Sequence, residues 1–390
     1  MNKKYFFLPG LLILIISCFQ FEDNDKNNLP DPDPNPLSAI NFVKNMGIGI
    51  NIGNTLDAAS GFSNQWWHSG ETGWGNPMIT KELIISLKNH GYTSIRLPIT
   101  WKDFMGPAPD YLIGECQRPG GCDSTPRCPH RMDRAEQVVN WILEEGMYCI
   151  INLHHDEWII DAAVDLNGTL DKYNKVWIQI AQRFSCASQE KLVFESMNEI
   201  GFNEVNKNTA YTLLNSVNQN FVNTIRASGG KNTDRFLLIA GYWTDINDTV
   251  DARFIMPNDS ARDKLIVSVH YYDPSTFTIA DRPDNSWGFR DSWGTSADRT
   301  HLSNQINKLK TRFLGSGVPV IFGEYGVTFG RDNNKDEQSR IDWMTAVTQI
   351  CLDNGICPIL WDTGGEISRN PPFTMRNTLK TVWENIVLPE

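Results

Sequence analysis

Leu192-Val193-Phe194-Glu195-Ser196-Met197-Asn198-Glu199 is a short apolar run that closes on a carboxylate, and Val318-Pro319-Val320-Ile321-Phe322-Gly323-Glu324-Tyr325 repeats the arrangement much later in the chain. Both carry the β-branched and aromatic residues of buried strands, and both lead into loop-like sequence. Working outward, similar runs lie at 47–52, 94–99, 147–153, 236–240, 265–269 and 356–360. Most are nearly continuous in Val, Ile, Leu and Phe, as parallel strands covered on both faces should be. Between them the apolar spacing turns helical. Leu83, Ile84 and Leu87 share one face of 81–89, and Val138, Val139 and Ile142 share one face of 134–145, which Gly146 follows as a stop. Stretches at 173–184, 208–227, 298–314 and 335–352 complete the alternation. Eight strands alternating with helices predict an α/β fold, a single (β/α)8 TIM barrel. A doubly wound sheet would give no reason for polar residues to gather at the C-terminal ends of the strands.

The 390 residues are 41% hydrophobic, with 13 Trp and 19 Phe, which is enough for a large core and outside the disordered class. A net charge of -11 argues against nucleic acid as a partner, because phosphates call for a basic face. At the N-terminus Lys3 and Lys4 precede the apolar stretch 5–16 and then Ser17-Cys18. That pattern reads as an export signal over 1–17 rather than a spanning helix. Ile15-Ile16-Ser17-Cys18 also resembles the lipobox of bacterial lipoproteins, which implies acylation of Cys18 and a lipid anchor in the membrane. The segment 18–36 is acidic and then alternates proline with Asp or Asn from Pro30 to Pro36, a stiff tether that cannot pack a core. Its acidic start resembles the surface-export signal of Bacteroidetes lipoproteins. The expectation is an outer-membrane lipoprotein facing the cell surface, its folded barrel domain at 37–390.

Seven cysteines remain after Cys18, so at least one is unpaired. Cys116, Cys122 and Cys128 crowd one Pro/Gly-rich stretch where a disulfide could form; Cys351 and Cys357 could pair or be two core thiols; Cys149 lies in an apolar run and reads as a core thiol; Cys186 carries no signal either way.

A barrel keeps its chemistry at the C-terminal ends of the strands. Found there are Asn51 and Asn54, Arg96 and Trp101, His154 and His155, Asn198 and Glu199, Trp243, His270 and Tyr272, Glu324, and Trp361. Two glutamates at the ends of different strands can face one another across a cleft, the minimum equipment for breaking a glycosidic bond.

The chain resembles glycoside hydrolase family 5 through Gly49-Ile50-Asn51-Ile52-Gly53-Asn54-Thr55-Leu56-Asp57-Ala58, Ile95-Arg96-Leu97-Pro98-Ile99-Thr100-Trp101, Ile151-Asn152-Leu153-His154-His155-Asp156 and Phe194-Glu195-Ser196-Met197-Asn198-Glu199. Val269-His270-Tyr271-Tyr272, Phe322-Gly323-Glu324-Tyr325-Gly326 and Leu360-Trp361-Asp362 continue it in the same order. Glu71-Thr72-Gly73-Trp74-Gly75-Asn76-Pro77 resembles the endoglucanase and xyloglucanase branch, subfamily 4. The resemblance implies a retaining endo-β-1,4-glucanase acting on a β-glucan, with no cofactor and no metal. It implies Glu199 as acid/base, with a raised pKa, and Glu324 as nucleophile. Arg96 and Tyr272 would hold Glu324, His270 would set the protonation of Glu199, and Asn198 would reach the sugar 2-hydroxyl. His154 and Trp361 would form the subsite beside the cleaved bond. Adjacent strand residues point opposite ways, so His154 is favoured over His155 for the cleft. Asn51, Trp74, Trp101 and Trp243 are further substrate-binding candidates, and Glu195 reads as a polar barrel residue supporting the site. Ile200 stands where the family often has Pro, which shapes the outgoing loop and carries no chemistry.

A metal-dependent barrel hydrolase would want His-x-His on one strand, and none occurs. Gly47, Gly49 and Gly53 have the wrong spacing for a nucleotide loop. A non-catalytic surface glycan-binding lipoprotein should have lost a glutamate. A mannanase or xylanase on the same barrel is the nearest alternative in substrate. The insertion at 104–131 is expected to form part of the cleft wall and to shape selectivity.

Overall fold

Hydrogen bonding between parallel neighbours closes eight strands into a barrel in chain order: β1 (Gly49–Ile52), β2 (Ser94–Leu97), β3 (Tyr148–Asn152), β4 (Leu192–Glu195), β5 (Leu237–Asp245), β6 (Leu265–Tyr271), β7 (Val320–Tyr325) and β8 (Cys357–Asp362). The last strand returns to the first, with Asn51 opposite Trp361. These relations come from a computed structural model that describes residues 37–60, 70–114 and 130–388. The export signal, the tether, Cys18 and the cysteines of the 104–131 insertion lie outside the described residues.

The helices are α1 (Ala39–Met46), α2 (Lys81–Asn89), α3 (Arg131–Glu144), α4 (Leu166–Arg183), α5 (Lys207–Ala227), α6 (Ile246–Thr249), α7 (Ser275–Thr278), α8 (Ser296–Arg312), α9 (Glu337–Asp353) and α10 (Asn377–Asn385). The helix read at 81–89 is α2 to the residue. α4 starts well before the 173 read from sequence, because the Asp165 side chain accepts the Gly168 N–H and caps a first turn that Asn167 and Gly168 disguise. α8 has little apolar periodicity, and its start is fixed by a capping box in which Thr295 and Asp298 exchange side-chain-to-backbone bonds. Among the described residues, no helix is long and apolar enough to cross a membrane.

Alternation along the strands separates two cores. Ile50, Ile95, Leu97, Cys149, Ile151, Phe194, Ile239, Val267 and Phe322 belong to the larger cluster, with the helices. Tyr148, Ile150, Val193, Leu238, Ile266, Ile321, Cys357 and Ile359 join the smaller one, which α1 completes with Ala39, Phe42, Val43 and Met46. The Phe42 ring stacks on Phe236 at 3.8 Å and meets Tyr148 edge-on at 5.3 Å. One step further along the same alternation the residues become polar: Asn51, Arg96, Asn152, Glu195 and Ser268 are all buried. The barrel thus changes from an apolar plug at one end to a buried polar layer beneath the C-terminal mouth.

Candidate active site

Glu324 lies within β7, yet simple alternation after Ile321 would turn it outward. Val269 pairs with Phe322 and His270 with Glu324, so Gly323 is an extra residue, a bulge that re-aims the following carboxylate. Glycine is needed there, because a Cβ on Gly323 would lie 2.9 Å from Ser268 Oγ and 3.1 Å from His270 Nε2. The Asn51 amide donates to the bulged Gly323 carbonyl at 2.9 Å.

Arg96 is wholly buried and donates to four side chains from β2: Glu195 Oε2 from Nε at 2.7 Å, Asn51 Oδ1 and Glu324 Oε1 from Nη1 at 3.0 and 2.7 Å, and Asn198 Oδ1 from Nη2 at 2.8 Å. Burial works against its charge, but the carboxylates of Glu195 and Glu324 outweigh it and raise its pKa. The other oxygen of Glu324 accepts the Tyr272 hydroxyl at 3.0 Å. Burial, reinforced by the Glu324 charge, pushes the tyrosine well above its usual range, so it remains a donor.

Glu199 follows β4, its side chain 41% exposed to the cleft. His270 Nδ1 lies 2.7 Å from Glu199 Oε1 and 3.6 Å from Glu324 Oε2. A carboxylate oxygen from each glutamate and a His270 nitrogen all lie within 4.8 Å of one another. The raised pKa expected for Glu199 is not what the substrate-free site holds. Burial favours the neutral acid, but the His270 hydrogen bond and charge, aided by Arg96, win and lower its pKa. Burial likewise opposes charge on His270, but Glu324 and Glu199 raise its pKa, so the pair is ionised with its proton on the histidine.

His154 and His155 both border the cleft of about 450 Å³, together with Asn198, Glu199, Tyr272, Glu324 and Trp361. Opposite orientations were expected of strand residues, but β3 ends at Asn152, and the two rings sit edge to face at 4.5 Å. His154 is stacked parallel to Trp361 at 5.7 Å. Burial, with the charges of His155, Arg96 and His270, depresses its pKa well below the ordinary histidine value. Trp74 lies in the β1–α2 loop with its ring 5.5 Å from His155. Asn76 stitches that loop to the β8 end by donating to the Gly53, Asn54 and Thr363 carbonyls. Trp243 is 40% exposed at the end of β5, and its Nε1 donates to Asn203 at 3.3 Å.

Two further sequence-based expectations need correction. Trp101 is wholly buried and donates from Nε1 to the Asn152 carbonyl at 2.9 Å, because the chain turns its ring inward after β2. It cannot be a sugar platform. Asn51 is also wholly buried, its amide nitrogen on Gly323 and its oxygen on Arg96, so it holds the Glu324 bulge instead of substrate. Ile200 donates to the Asn198 carbonyl and its own carbonyl accepts from Trp243, so the outgoing loop is tied to β5. Cys149, Cys351 and Cys357 are buried free thiols, and Cys186 is disulfide-bonded. Sequence reading passed over Asn152 and Ser268, both of which bind Glu195; the only signal was their place on inward strand positions. It also passed over Asp57, which with His154 and His155 forms a group that could hold a metal. Its oxygens already accept the Asn54 and Thr55 N–H groups. Among the described residues the other such group is Glu199, His270 and Glu324 themselves.

A (β/α)8 barrel whose mouth brings two glutamates this close, with a stacked Trp and His beside them, has the equipment of a retaining glycosidase. The model of the cellulase family, glycosyl hydrolase family 5, matches residues 57–366. Endoglucanase A of Paenibacillus barcinonensis is 33% identical, over 93% of this chain and 91% of that protein. The xyloglucan-specific endo-β-1,4-glucanase of Bacteroides ovatus is 31% identical, over 87% of this chain and 67% of that protein. The solved structure of a subfamily 4 broad-specificity endoglucanase from Ruminococcus champanellensis, with bound cellotriose, superposes with a TM-score of 0.76 at 30% identity, covering 90% of this chain and 98% of that one. The chain belongs to glycoside hydrolase family 5.

Proposed function

We propose that the protein is a retaining endo-β-1,4-glucanase that cleaves internal bonds of β-glucans by double displacement. The observation that carries this is the approach of the Glu199 and Glu324 oxygens to within 4.8 Å. Retaining enzymes hold their carboxyl groups about 5–5.5 Å apart, whereas inverting ones leave room for a water at about 6.5–9.5 Å.

Glu324, held by Arg96 and Tyr272 on separate oxygens, attacks the anomeric carbon. Glu199 protonates the departing oxygen. The substrate-free site stores that proton on His270; when a sugar covers the exposed side of Glu199, further desolvation favours the neutral acid and draws the proton along the 2.7 Å bond. In the second half Glu199 takes a proton from water, which opens the glycosyl ester with net retention. The Asn198 oxygen is committed to Arg96, which leaves its NH2 to donate to the sugar 2-hydroxyl. Trp361 and His154 form the wall of the subsite, and Trp74, its ring 5.5 Å from His155, and the exposed Trp243 offer aromatic surface for further sugars.

Similarity to a xyloglucan-specific enzyme and to a broad-specificity one supports a soluble, branched or mixed-linkage glucan as substrate. The lipobox-like run ending at Cys18 supports a lipid anchor at the outer membrane, which would place the domain beside glycan-uptake proteins. Product analysis on xyloglucan, mixed-linkage glucan, carboxymethylcellulose and β-mannan tests the reading. Oligosaccharides should appear from the glucans and vanish with Glu324→Ala, a loss of at least about 10⁴-fold. Activity confined to mannan, or untouched by that substitution, would overturn it.

A further inference from the structure

Beneath the cleft, Glu195 and Asn152 have no route to substrate, since both are buried in the barrel. Glu195 is nonetheless the acceptor for three donors: Arg96 Nε at 2.7 Å, Asn152 Nδ2 at 3.0 Å and Ser268 Oγ at 2.6 Å. Asn152 has only one possible orientation. The Ile99 backbone N–H approaches its side chain at 3.2 Å, and a backbone N–H can only donate, so the oxygen faces Ile99. Its NH2 must then face Glu195 and also His154 Nδ1, which lies 3.2 Å away. A donor pointed at Nδ1 requires a lone pair there. His154 is thereby neutral, with its hydrogen on Nε2.

We propose that Glu195 and Asn152 are a positioning pair that fixes His154 as the Nε2–H tautomer, so that it presents a hydrogen-bond donor to a sugar hydroxyl in the cleft. This deepens the glucanase reading and rests on it for the identity of the acceptor. The order of control runs upward through the barrel. The Ile99 amide and Glu195 orient the Asn152 amide, the amide selects the tautomer, and the stack against Trp361 keeps the ring in plane. Because Glu195 also takes Arg96 Nε, the same carboxylate aims the guanidinium at Glu324 and Asn198. One buried glutamate therefore orients both the sugar-facing histidine and the arginine of the reacting pair.

The test is long-range ¹⁵N–¹H NMR of the intact protein labelled at histidine nitrogen, with the His154 signals assigned by their loss in His154→Gln. Wild type should show the Nε2–H signature, unchanged from pH 6 to pH 8. Asn152→Asp replaces the donor with an acceptor, which should move the signature to Nδ1–H and lower kcat/KM on a β-glucan about tenfold. Glu195→Gln keeps an acceptor oxygen for Asn152, so the tautomer should persist while kcat falls through Arg96. An Nδ1–H or doubly protonated His154 in wild type would overturn the proposal without need of any variant. So would an Nε2–H signature that survives in a folded Asn152→Asp. A chain that hydrolyses no β-glucan but shows the expected tautomers would overturn the glucanase reading and leave the positioning pair standing.

Discussion

At the scale of single residues, the site is governed by which group holds a proton. His270 titrates above the usual histidine value of 6.5 because two carboxylates face it, and Glu199 titrates below 4.5 because His270 faces it. The ionised pair therefore persists from below the ordinary glutamate range to above the ordinary histidine range. A raised histidine pKa means the stabilising charge is fully present at low pH and lost as pH climbs through the folded value. The alkaline limb of kcat/KM should accordingly fall above pH 6.5, where the stored proton leaves. In His270→Gln the amide still donates to Glu199 but stores no proton, so that limb should move to lower pH. A pH–rate profile of both proteins checks this, and a limb that stays in place would detach His270 from the acid/base. Glu199 and Glu324 were legible from sequence because each stands at the C-terminal end of an apolar run, Glu199 just past β4 and Glu324 near the end of β7. Their protonation was not, since it depends on contacts between β4, β6 and β7 that no local pattern records.

At the scale of elements, irregularities in regular strands place the functional groups. The Gly323 bulge turns Glu324 inward, and β5 breaks register between Ala240 and Asp245 where Trp243 and Thr244 adopt φ of 54° and 50°. That break lays the Trp243 indole against Gly201, where an added Cβ would lie 2.0 Å from Nε1. Trp243→Ala should raise KM for a long glucan about tenfold with kcat little changed, the loss of one stacking surface. Gly201→Ala should reproduce that change by displacing the ring, and substrate-saturation curves for the two variants compare them. The strands themselves were readable from their apolar runs, but bulges leave no such trace, which is why Asn51 was read as a substrate ligand. Helix α1 was also missed, being only Ala39–Met46 and lying before the first strand. Its Phe42 fills the closed end of the barrel, so Phe42→Ala should cost about 3–5 kcal/mol in denaturant unfolding while kcat at low temperature holds.

At the scale of the whole molecule, one end of the barrel is packed with apolar side chains and the other is polar and reactive. This division follows from a single alternation of strand residues carried through a buried polar layer. Fold class was legible because eight apolar runs and their intervening helices satisfy one architecture throughout. Substrate preference was not, because loop sequence carries no periodicity to read; the 104–131 insertion proposed to shape it lies largely outside the described residues. The central claim is that Glu324 attacks one face of the anomeric centre while Glu199 serves the opposite face, first as acid and then as base, so each cleavage inverts twice. It is tested most directly by ¹H NMR of a soluble β-glucan oligosaccharide during its first minutes with enzyme. The β anomer of the new reducing end should appear first and the α anomer only later, by mutarotation. An α anomer appearing first would mean a single displacement by water and would contradict the account.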